Sequence, residues 1–171
     1  MRMMDQAAFL AWLAEAGIEN AARGRGAVFL RFGSADVTRT WPAPAGDALA
    51  PWLDAVVRAA SAEGPWWLWR RGGGRWGDAR EDIASAAGAA GVQRGFSDAL
   101  GFRADETEPM MRIIHAFAAW PWGVADDLYL VPDDRSCVVM LCHDEEIHVH
   151  AADPARLAAF AAALSGAAGG V

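Results

Sequence analysis

The sequence predicts one α+β domain, with a mainly antiparallel sheet of five to seven strands and four or five helices. Two patterns lead there. Apolar stripes at helical spacing alternate along the chain with short runs rich in β-branched and aromatic residues. In the C-terminal part, residues 125–154 hold three such runs joined only by acidic turns, the pattern of a three-strand meander. With 171 residues and 54% hydrophobic content, the chain fits one domain that buries roughly 70% of the surface its unfolded form exposes. No internal repeat, long linker or second domain is visible.

Each element has its own signal. Asp5 can cap a first helix in which Phe9, Trp12, Leu13 and Ala16 follow the i, i+3, i+4, i+7 rule and Gly17 supplies the stop. Residues 26–32 and 35–41 read as a hairpin closed by Gly33 and Ser34, pairing Leu30 with Val37 and Arg31 with Asp36. Asp47 begins a second helix carrying Leu49, Trp52, Leu53, Val56 and Ala60; Pro51 sits in its tolerant first turn, and Gly64 and Pro65 end it. Residues 66–71, WWLWRR, form a strand that turns through Gly72, Gly73 and Gly74 into Arg75 and Trp76. From 78 to 102 the periodicity is weak, and one or two short helices are expected. Thr107 caps a third clear helix, with Pro109 in its first turn and Met110, Ile113, Ile114 and Phe117 on one stripe. After the meander, Asp153 and Pro154 start a last helix with Leu157, Phe160, Ala161 and Leu164 inward, and residues 166–171 read as a flexible tail.

Because each turn of a meander reverses the chain, the start of its first strand and its second turn lie at one end. Asp126, Asp127, Asp144, Glu145 and Glu146 therefore converge there, while Asp133, Asp134 and Asp153 lie at the other end. With Asp144 and Glu145 as the tip of the second turn, Cys142 pairs with Ile147, Met140 with Val149 and Val138 with Ala151 on a core face. The opposite face then carries Cys137, Val139 and Leu141 against His148 and His150, with His143 and Glu146 at its rim.

Charge is distributed unevenly. Residues 1–103 carry a balance of +1 and residues 104–171 one of −8, giving the net −7; all 15 basic residues are Arg. Such an acidic balance repels a polyanion, so nucleic acid is not an expected partner, although Arg70, Arg71, Arg75 and Arg80 lie near Trp66, Trp67, Trp69 and Trp76. The glycines of the RRGGGRWG run (70–77) are hairpin glycines, since a Walker loop needs a lysine and the chain has none. No apolar run approaches 18 residues, and the first helix is bracketed by Asp5 and Glu15, so neither a membrane span nor a signal peptide is expected. Cys137 and Cys142, five positions apart on one strand, stand about 16 Å apart at ~3.3 Å per residue, too far for a disulfide. Reduced thiols fit a cytoplasmic protein.

Three groups of residues bear on function. His148 and His150 form an H-x-H on a strand, which with His143 and Glu146 makes a metal first shell or lines a partly wet sheet face. The cysteines read as small buried hydrophobes, not nucleophiles. The five converging acids beside Trp120 and Trp122 make a surface with aromatic anchors and steering carboxylates, a cation site at Asp126, Asp127, Asp144 and Glu146, or solvated turn tips.

Residues 120–150, WPWGVADDLYLVPDDRSCVVMLCHDEEIHVH, resemble the C-terminal part of small bacterial immunity proteins that neutralise polymorphic or contact-delivered toxins. The resemblance implies a cytosolic, non-catalytic, acidic α+β protein that blocks a toxin by binding it; no cofactor is expected. The acidic edge read above supplies the surface for a toxin domain with a basic face, Asp126, Asp127, Asp144, Glu145 and Glu146 steering it and Trp120 and Trp122 anchoring it. The alternative is a metal-binding protein or metal-dependent enzyme built on His143, His148 and His150.

Overall fold

The structure, a computed structural model, describes residues 1–23, 27–61, 64–70, 75–93, 95, 96, 98–119 and 127–168. Its elements are β1 (Arg2–Met4), α1 (Gln6–Ala14), β2 (Glu19–Arg23), β3 (Ala27–Arg31), β4 (Val37–Pro42), α2 (Leu49–Ala60), β5 (Trp66–Arg70), α3 (Glu81–Ala89), β6 (Ala99–Phe102), α4 (Thr107–Ala118), β7 (Leu128–Pro132), β8 (Val138–Cys142), β9 (Glu146–Ala151) and α5 (Pro154–Ala168). Seven strands form one antiparallel sheet in the order β1-β6-β5-β7-β8-β9-β4, and β2 and β3 pair as a separate two-stranded sheet. The predicted α+β class, five helices and mainly antiparallel sheet are therefore what the chain forms.

Strand alternation divides the core into two layers. Trp66, Leu68, Leu100, Phe102, Leu128, Leu130, Val139, Leu141, Ile147 and Val149 face the helices α2 to α5. Trp67, Trp69, Tyr129, Val131, Val138, Met140 and Cys142 face α1 and the β2–β3 hairpin. Phe9 and Leu13 of α1 insert into this second layer, where the Phe9 ring lies 5.9 Å from Trp69 and 6.2 Å from Trp67. Every residue of β5 is buried because both sheet faces are covered at that strand. Each of its tryptophans removes on the order of 150–250 Å² from water, an upper bound of roughly 4–6 kcal/mol apiece.

Helix boundaries follow local chemistry. The Asp5 side chain accepts the Ala8 N–H at 2.9 Å, and Gly17 leaves α1 with φ at 74°. A short 3-10 turn, Gly46–Ala48, leads into α2. Thr107 is the first residue of α4 and not its cap; its hydroxyl donates to the Ala104 carbonyl at 2.8 Å. Asp153 accepts the Ala155 N–H at 2.9 Å, and α5 runs past Gly166 to Ala168.

Four sequence expectations are corrected. The β3–β4 hairpin does not form: Asp36 accepts the Phe32 N–H at 3.0 Å, a 3-10 turn at Gly33–Ala35 redirects the chain, and β4 pairs with β9 as an edge strand. No strand at Arg75 and Trp76 returns along β5, because β6 and β7 already occupy both of its edges; Trp76 instead opens a 3-10 turn. The glycines expected to make that hairpin lie outside the described residues. Residues 78–102 contain the strand β6 as well as the helix α3. The β8–β9 register is shifted by one residue: Cys142 pairs with Glu146, Met140 with His148 and Val138 with His150. The turn has three residues, His143 to Glu145, with Glu145 in the left-handed region at φ 62°, the geometry of a type I turn followed by a bulge. One residue of slip exchanges the faces, so Val138, Met140 and Cys142, not Cys137, Val139 and Leu141, lie beside the histidines.

Candidate functional site

The shifted register and the edge position of β4 together build a pocket. Thr38 pairs with His150 and Thr40 with His148 across the β4–β9 ladder, so the T-x-T of one strand meets the H-x-H of the next on one sheet face. The β2–β3 hairpin lies over that face. Between them is a cavity of about 210 Å³ lined by Phe29 and Arg31 on one side and by Met140, Cys142, His143, His148 and His150 on the other, with Asp127, Asp144 and Glu146 at its turn end.

Each histidine is held by a neighbour. His150, buried, has its Nδ1 at 3.0 Å from both Asp36 Oδ2 and the Thr38 hydroxyl, and that hydroxyl donates to Asp36 at 2.7 Å. Burial raises the pKa of Asp36, but the Phe32 N–H, the Thr38 hydroxyl and the His150 ring outweigh it and hold the carboxyl below its ordinary value. His148 Nδ1 is 3.0 Å from the Thr40 hydroxyl, and its Nε2 is 3.5 Å from Glu146. Burial lowers the His148 pKa further than the acids nearby raise it, so this ring is neutral at pH 7. His143 donates both its backbone N–H, at 3.2 Å, and its ring Nδ1–H, at 2.8 Å, to Asp127 Oδ1. A carboxylate can only accept, which places the ring proton on Nδ1.

Cys142 Sγ lies 3.9 Å from His143 Nδ1 and 3.7 Å from Asp144 Oδ2. Burial, reinforced by the charges of Asp127 and Asp144, pushes this thiol up to about 11. Cys137, on the helical side of the sheet, is also raised by burial. Both cysteines are free.

The five-acid edge divides. Asp144 and Glu146 point outward, their side chains 72% and 41% exposed. Asp127 is 1% exposed and turned inward to His143. Glu145 faces the helical side instead, where it lines a cavity with Ala43, Leu49, Ala118 and Ala119. Asp126, Trp120 and Trp122 lie outside the described residues. The tryptophans once aligned with Arg70 and Arg75 are interior: Trp66, Trp67, Trp69 and Trp76 are 1–3% exposed and offer no stacking platform to a base.

Sequence reasoning missed Asp36, Thr38 and Thr40, because β4 was assigned to a hairpin with β3. The alternating polar residues of DVTRT were the available signal: one face of an edge strand whose period matches HVH. It placed Cys142 on the wrong face through the same one-residue slip.

No family model, curated protein or solved structure matches the chain. No helix among the described residues is long and apolar enough to cross a membrane.

Proposed function

We propose that the chain is a non-catalytic binding protein of the immunity type, which neutralises a toxin domain by docking a basic face of it against the turn end of β7, β8 and β9. The observation that carries this reading is the outward pair Asp144 and Glu146. Their described ion-pair partners are His143 and His148, and neither meets an arginine among the described residues. Carboxylates displayed in this way attract a cationic surface within a Debye length of about 8 Å and accelerate encounter. The balance of −8 over residues 104–171 works in the same direction.

Support for a non-catalytic role comes from the thiols. Cys142, held at about 11, stays protonated at neutral pH, so its neighbour His143 does not make it a nucleophile. A protein of this type acts in the cytoplasm of the cell that makes the toxin. The reading predicts a neighbouring gene that encodes a toxic C-terminal domain, and co-expression with that domain tests it: the wild-type chain should protect the host and co-purify with the domain. Loss of both on Asp144→Arg with Glu146→Arg supports the proposed surface. Protection without a complex, or undiminished in the double variant, contradicts it.

A further inference from the structure

The wall of the pocket nearest the turn gathers three different ligand types that protein docking does not require. Asp127 Oδ1 is 2.8 Å from His143 Nδ1, Cys142 Sγ is 3.9 Å from the same nitrogen, and one ligand atom of each residue lies within 4.8 Å of the others. All three are fixed by the sheet. Cys142 ends β8, His143 follows it into the turn, and Asp127 directly precedes β7, whose Leu128 pairs with Leu141.

We propose that Asp127, Cys142 and His143 form a site for a divalent transition metal of the zinc class, open on its fourth side to the pocket. Zinc at ~2.0–2.1 Å from nitrogen and oxygen and ~2.3 Å from sulfur spaces its tetrahedral ligand atoms by roughly 3.3–3.6 Å. The nitrogen–oxygen pair must open by about half an ångström and the sulfur–nitrogen pair close by a few tenths. A carboxylate and a thiolate neutralise the dication, and an imidazole completes a donor set that zinc takes and that magnesium or calcium does not.

The surroundings fit the same ion. Cys142 lies beside two carboxylates, those of Asp127 and Asp144, so a cation is the charge its environment favours. When the metal takes the place of the Nδ1 proton, the His143 ring keeps one proton by carrying it on Nε2, which is 3.7 Å from Asp144 Oδ1. Closing that gap by about half an ångström makes Asp144 the carboxylate that accepts this proton and orients the metal-bound imidazole. The thiol proton of Cys142 leaves to solvent, so binding releases one proton and weakens as pH falls. The same pocket also holds His148, but its ring is not among the ligand atoms gathered within 4.8 Å, so a water supplies the fourth ligand.

Cobalt(II) titration of the untagged, chelator-treated chain tests the site. A thiolate-to-cobalt charge-transfer band should saturate at one equivalent and disappear when zinc is added. Cys142→Ser should abolish the band and weaken binding at least about tenfold, whereas Cys137→Ser should keep both. If Cys142→Ser does not fold, Cys137→Ser alone decides the question, because its remaining thiol is Cys142. The proposal is overturned if the wild-type chain gives no charge-transfer band with equimolar cobalt, or if the band disappears in Cys137→Ser.

Discussion

His143 and Asp127 form a hydrogen-bonded pair, 2.8 Å from ring to carboxylate, in which the acid is almost wholly enclosed and the imidazole is a third exposed. This contact ties the β8–β9 turn to the start of β7. It also explains why an acid read as part of a steering surface faces inward: its carboxylate answers two donors of one residue.

Removing that carboxylate should therefore loosen the turn. Asp127→Ala leaves the His143 backbone N–H and ring N–H without their acceptor and should cost about 2–3 kcal/mol, while Asp127→Asn, which keeps a carbonyl acceptor, should cost about 1 kcal/mol. Urea denaturation distinguishes them, and equal losses would show that the acceptor is not what matters.

Stability should fall on acidification in two stages. His148 has a folded pKa below its ordinary 6.5, so the unfolded chain binds that proton more tightly. Its contribution is complete above about pH 6.5 and is lost as pH falls from there through the lower folded value. Asp36, held below its ordinary 3.8, adds a second loss as pH drops below about 4 and through its folded value. Urea midpoints between pH 8 and pH 3 should show both stages; His148→Gln should flatten the first and Asp36→Asn the second. A midpoint that rises between pH 7 and pH 5 contradicts this account of His148.

Gly101 should not tolerate a side chain. It pairs with Trp67 across β5 and β6, and a Cβ there would lie 2.9 Å from two carbons of the indole, itself bonded to Asp133 through Nε1 at 2.9 Å. Gly101→Ala should cost about 1–3 kcal/mol, read as a drop in thermal midpoint. A neutral result would mean that Trp67 repacks freely.

Glu145 invites the opposite change. At φ 62° it holds the left-handed position of the three-residue turn, where glycine carries no steric penalty. Glu145→Gly should stabilise the chain by about 0.5–1 kcal/mol in urea, and Glu145→Val should destabilise it. Loss of stability in the glycine variant would argue against the observed register.

The architecture was legible where periodicity and capping agree. The stripes of α2 and α4, the Asp5 cap of α1 and the three strands of the meander stand where the sequence placed them. Pairing between distant strands was not legible. The polar face of DVTRT marks an edge strand, but nothing local selects β9 as its neighbour or slots Ala99–Phe102 between β1 and β5, because those choices are made by burial of whole faces. The pocket suffered most, since it depends on both β4 and the turn. His148 and His150 were found from their H-x-H spacing and His143 from its place in the turn before them. The Thr38, Thr40 and Asp36 partners and the inward face of Cys142 needed the register, which one left-handed residue sets.

If the proposed reading holds and a neighbouring gene encodes a toxic domain, the rate at which the chain associates with that domain, followed by stopped flow over a range of salt, tests the docking surface most directly. The account predicts a rate that falls as salt rises, and at low salt a loss of at least about tenfold for Asp144→Arg with Glu146→Arg together with a flatter salt dependence. Asp134→Arg, in the opposite turn of the meander, should stay within about twofold of wild type. Equal rates for the wild type and the double variant across all salt concentrations would contradict it.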